Sequence, residues 1–174
     1  MTTRGDHIVL MGMMGAGKTT IGRALERASG LVYVDNDVHL AHRTGADTRS
    51  LARATGPERL HEAEVAQLRE ALDADVPGIV AAAAGVVDQP EGVQLLREAF
   101  VVYLRARPET LAARVGAGEG RPWLDGDPLA WLTATLARRE DRYEELADVV
   151  VDVDDAAPEQ LASRILSARA ERRS

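Results

Sequence analysis

The strongest constraint on the fold of this chain lies near its start, in Gly12-Met13-Met14-Gly15-Ala16-Gly17-Lys18-Thr19. A short, largely apolar run at 7–11 precedes it, and Ile21, Ala24, Leu25 and Ala28 follow at helical spacing. The order is strand, glycine-rich turn, helix. In that context the spacing G-x-x-x-x-G-K-[ST] is a phosphate cradle. Its glycines let backbone N–H groups turn inward around an anion, and the helix presents its positive end to the same charge. Lys18 is expected to bridge the β- and γ-phosphates of ATP, and the Thr19 hydroxyl to coordinate Mg²⁺. The residues expected around ATP are Gly12, Gly15, Ala16, Gly17, Lys18, Thr19 and Thr20.

Composition supports a working site. The chain has 21 basic residues, of which Lys18 is the only lysine and the rest are arginines. A surface lysine drifts to arginine at little cost. A compact ammonium that must fold back over a phosphate loop is poorly replaced by a planar guanidinium.

Downstream, strands alternate with helices. Strands are expected at 31–34, 78–83, 100–104 and 149–153. Helices are expected at 38–43, 47–54, 57–73, 91–99, 108–115, 128–147 and 158–171. On the longer helix Leu60, Glu64, Leu68 and Leu72 recur every fourth residue. Such alternation gives parallel pairing. The fold class is therefore α/β: a P-loop kinase fold, with a five-stranded parallel sheet sandwiched by helices. All 174 residues fit one domain. Segment 116–126, rich in glycine and charge, is expected to be a mobile lid, and 36–64 an acceptor-binding segment.

A net charge of −7 and an aromatic content of 3% argue against a nucleic-acid partner. The absence of cysteine excludes disulfides and thiolate metal sites. The apolar run near the start is too short for a membrane segment. A cytoplasmic monomer acting on a small molecule is expected.

Over nearly its full length the chain resembles the shikimate kinases. The matching stretches are the phosphate loop, Val34-Asp35-Asn36-Asp37, Thr44-Gly45, 56–64, 79–85, Val102-Tyr103-Leu104, Arg121-Pro122-Trp123-Leu124, and 139–143 with Ala147-Asp148. The resemblance implies that Asp35 supports Mg²⁺ and that Asp37 contacts the acceptor hydroxyl as its base. It makes Arg121 a lid residue that swings onto the transferred phosphate. It places Arg114 and Pro158 on the two faces of adenine, and Arg139 on the carboxylate of the acceptor, a small polyol acid with shikimate the first candidate. Trp123 stands where the family has an aliphatic residue, as either a lid anchor or part of an altered pocket.

Two departures fall in the acceptor site. His61 stands where the family carries a carboxylate-binding arginine, and Arg59, two residues away, is about 200° round the helix and cannot replace it. The family's Gly-Gly-Gly reads Ala83-Ala84-Gly85, so two methyl groups are added to a wall expected to touch the acceptor. The substrate-binding set is thus Asp37, His61, Gly85, Arg121 and Arg139. These departures keep two alternatives open: a kinase of the same fold for another polyol or sugar acid, and a nucleotide-binding regulatory module without catalysis.

Overall fold

The computed structural model of the protein describes residues 2–35, 45, 50, 54, 56–115, 126–154 and 156–172. Five strands are present among them: β1 (Ile8–Met11), β2 (Val32–Asp35), β3 (Gly78–Ala81), β4 (Phe100–Arg105) and β5 (Val149–Asp152). They form one sheet in the order β2-β3-β1-β4-β5, every neighbouring pair parallel. β1 is central because all four of its side chains are apolar, so it can be covered on both faces. Its residues are at most 1% exposed.

The described helices are α1 (Lys18–Ser29), α2 (Pro57–Leu72), α3 (Pro90–Arg97), α4 (Pro108–Val115), α5 (Pro128–Leu146) and α6 (Pro158–Arg172). Five of the six open on proline at the first helical turn, where a missing N–H is harmless. α1 packs with α6, while α3 packs with both α2 and α5, and all three pack with a 3₁₀ turn at Val86–Asp88. Leu60, Glu64, Leu68 and Leu72 make the buried face of α2, as their four-residue spacing predicts. Arg59 is exposed on another face.

Two element ends differ from expectation by two residues, the others by at most one. β3 stops at Ala81, because after Ala82 N–H donates to Leu10 O (2.9 Å) the chain turns away from the ladder. α3 stops at Arg97, where the Glu98 and Ala99 N–H groups close the turn onto the Leu95 and Leu96 carbonyls, both at 3.2 Å. The short helices expected at 38–43 and 47–54 and the lid at 116–126 lie, but for residues 50, 54 and 126, outside the described residues.

Parallel sheets of this kind hold ligands beyond the carboxyl ends of their strands, where the strand order reverses. That point lies between β3 and β1 on one side and β4 on the other. The phosphate loop leaves β1 there.

Candidate active site

The loop at 12–17 is built on three glycines whose conformations exclude side chains, Gly15 (φ 80°) among them. Gly12 has φ 151°, and a methyl group on it would come within 2.7 Å of Leu104 O; Gly17, the N-cap of α1, has φ 90°. The Ala16 N–H donates to Met13 O (3.1 Å), with the Ala16 side chain buried beneath. Lys18 folds back over the loop, its Nζ donating to Gly12 O (2.8 Å) and Met13 O (3.1 Å). The Arg114 Nη1 on α4 donates to Gly15 O (3.3 Å), which brings a guanidinium to the loop's outer edge. Thr20 is exposed in the first turn of α1, and half-buried Pro158 opens α6.

On one side of the loop the Thr19 hydroxyl donates to Asp35 Oδ2 (2.9 Å). The Tyr33 hydroxyl donates to the same oxygen (3.0 Å), and burial pushes the phenol well above its ordinary range, so it stays protonated. Tyr33 is a site residue that the motif reading missed. Its signal was present: Tyr33 and Asp35 are two apart on a strand and share a face. A hydroxyl and a carboxylate so close make an oxygen donor set that would suit Mg²⁺.

On the other side, a second cluster gathers around buried Gly85. A methyl group at Gly85 would lie 3.0 Å from His61 Cε1 and 3.5 Å from Arg139 Nη2, so α2, α5 and the chain after β3 meet here. His61 Nδ1 lies 3.1 Å from Glu64 Oε2, one helical turn on. Hydrogen bonding to Glu64 raises the imidazole above its usual pKa, and facing Asp88 adds to this; burial and the Arg139 charge oppose it.

Arg139 joins this cluster to the loop. Its Nε and Nη2 donate to Asp88 Oδ2 at 2.9 and 2.5 Å, and its Nη1 reaches Met13 Sδ at 3.9 Å. One turn on, the Tyr143 hydroxyl donates to Ala84 O (2.8 Å) and lies 3.6 Å from Met13 Sδ. Buried Met13 is the floor between the two halves of the site. Among the described residues no three carboxylates or imidazoles come together as a metal cage.

Comparison with known proteins shows the family. The family model for shikimate kinase matches residues 14–170. The chain belongs to the shikimate kinase family. It is 38% identical over 168 residues to a shikimate kinase of Pseudomonas syringae pv. tomato, covering 95% of this chain and 96% of that one. It is 37% identical to a shikimate kinase of Moorella thermoacetica, covering 93% of each. A shikimate kinase from Acinetobacter baumannii, solved in complex with shikimate, superposes with a TM-score of 0.89 at 28% identity, covering 95% of this chain and 93% of that one.

Within the family frame, the glycine-to-alanine departures prove milder than their chemistry suggests. Ala83 packs against the hydrophobic core, and Ala84 is fixed through its carbonyl by Tyr143. The position where a methyl would press on His61 and come into contact with Arg139 is Gly85, and it is still glycine. The His61 departure stands: an imidazole paired with Glu64 lies against Gly85. Asp37, Arg121 and Trp123 lie outside the described residues.

Proposed function

We propose that the protein transfers the γ-phosphoryl group of ATP to the 3-hydroxyl of shikimate, with Mg²⁺. The observation that carries this reading is the position of Arg139, which touches the phosphate loop at Met13 and the acceptor wall at Gly85. A cation there seats an acidic acceptor one side chain from the phosphate to be transferred. Transfer of this kind asks the protein for alignment and charge neutralisation more than covalent chemistry.

The parts divide accordingly. The N–H groups of the loop and Lys18 hold the β- and γ-phosphates, and Arg114 with Pro158 bounds the adenine. Bound Mg²⁺ would neutralise phosphate charge from the Thr19 and Asp35 oxygens. Asp37, two residues beyond Asp35, takes the proton of the acceptor hydroxyl. Arg121 closes over the transferred group. His61 and Arg139 receive the acceptor's carboxylate. All of these groups come from one chain, so a monomer suffices. No described helix is long and apolar enough to cross a membrane, and the lack of cysteine suits a reducing cytoplasm.

The test is ADP release with shikimate, quinate and gluconate offered in turn. Shikimate-dependent release is expected. Release that ignores shikimate but follows another polyol acid would establish the second reading, which His61 favours. ATP binding with no acceptor-dependent ADP release for any metabolite tried would support the regulatory module.

A further inference from the structure

The acceptor wall carries its own anion. Asp88 ends the 3₁₀ turn after Gly85, and one of its oxygens takes both donors on the Nε–Nη2 edge of Arg139. That edge is the planar fork a carboxylate ligand would use. The Arg139 side chain is only 14% exposed, whereas that of Asp88 is 41% exposed, so the anion is the partner with room to swing out. Around Gly85 the charges are matched in pairs: Arg139 with Asp88, His61 with Glu64. The two cations that meet at Gly85 are thus both already engaged before any ligand carboxylate arrives.

The turn does not need the ion pair to stay in place. Arg142 Nη1 donates to Val87 O (2.7 Å) and the Tyr143 hydroxyl to Ala84 O (2.8 Å), which pins the same segment to α5 on either side. Residues 139, 142 and 143 share one face of α5. Two of them hold the turn by its backbone, and the third is engaged by a side chain that could let go.

We propose that Asp88 is an internal rival of the acceptor's carboxylate: binding an acidic acceptor takes the Nε–Nη2 edge of Arg139 over from Asp88, and this exchange sets how strongly the site prefers acids. The proposal rests on the reading of Arg139 as the acceptor's anchor. It makes Asp88 a specificity-determining residue that touches the anchor in the free enzyme and yields it in the complex.

The test compares shikimate with its uncharged methyl ester, in binding by calorimetry and in turnover, on the wild type, Asp88→Asn and Asp88→Ser. Removing the rival charge should tighten shikimate roughly 5-fold, the scale of a partly exposed ion pair. The ester should barely respond, so the acid-to-ester preference rises by the same factor, with the KM for ATP unchanged. An unchanged preference in both variants would overturn the proposal. So would a loss of acid and ester affinity alike with a lowered melting temperature, which would make Asp88 a structural brace. If the wild type binds shikimate without phosphorylating it, the proposed reaction falls, and the preference ratio still decides the role of Asp88.

Discussion

The Tyr33 hydroxyl and the Asp35 carboxylate lie 3.0 Å apart on one face of β2, and the oxygen that Tyr33 meets is the one that also receives Thr19 at 2.9 Å. If Thr19 turned its hydroxyl to a bound Mg²⁺, as proposed, Tyr33 would be left holding the carboxylate. Tyr33→Phe removes that donor and keeps the ring. The hydrogen bond is worth about 1 kcal/mol. The Mg²⁺ concentration for half-maximal rate should therefore rise roughly 5-fold, with kcat at saturating Mg²⁺ little changed. An unaltered Mg²⁺ titration would show that the hydroxyl does not position Asp35.

The same ring depends on Gly22. A methyl group there would fall 2.2 Å from Tyr33 Cε2, inside van der Waals contact, and both residues sit against the core. Gly22→Ala should gain about 1 kcal/mol of helix propensity yet lose about 1–3 kcal/mol to overpacking. Thermal unfolding should show a lowered melting temperature, together with a Mg²⁺ requirement shifted in the direction of Tyr33→Phe. A variant more stable than the wild type would mean that the ring gives way freely.

His7 gives the fold a pH-sensitive seam at the other end of the sheet. Its ring is 1% exposed, and Nδ1 accepts the Gly78 N–H (3.2 Å), tying the residue before β1 to the first of β3. Burial, helped by Arg169, lowers its pKa below the ordinary 6.5, against the Ala74 backbone and the Asp6 and Asp73 charges. The unfolded ring therefore binds its proton at higher pH than the folded one. Stability is full above about pH 6.5 and declines as pH falls toward the folded pKa, by up to about 1.4 kcal/mol per pH unit. Urea unfolding at pH 7.5 and 5.5 should show the decline, and His7→Asn, which keeps an acceptor near Nδ1, should flatten it. Equal slopes in the two proteins would remove His7 as the cause.

Much of this could be read from residue order, because its signals are local. The phosphate loop is contiguous, the strand runs are short and apolar, and Arg139 and Tyr143 sit one turn apart. The cluster at Gly85 is different. His61, Gly85 and Arg139 meet from three separate elements, and only resemblance to a family could group them in advance. The Asp88–Arg139 pair spans 51 positions and follows no motif. Tyr33 lay within reach of strand alternation, yet its hydroxyl has a role only because Thr19 on α1 faces the same carboxylate.

His61 should make acceptor affinity fall as pH rises. The imidazole is raised above 6.5 first by its hydrogen bond with Glu64 and further by Asp88 across the pocket, against burial and the Arg139 charge. Below the raised pKa the ring is a cation that can meet the acceptor's carboxylate; as pH climbs through that value the charge is lost, while Arg139 stays charged. One charge-assisted hydrogen bond is worth about 1.5–3 kcal/mol, so the KM for shikimate should rise by roughly tenfold or more across the transition, with the KM for ATP nearly level. His61→Arg should hold the low KM at every pH, since a guanidinium does not titrate in this range. His61→Gln should give a high KM that no longer varies. A wild-type KM for shikimate that is flat from pH 6 to 9 would show that the imidazole at the acceptor wall does not read the acid.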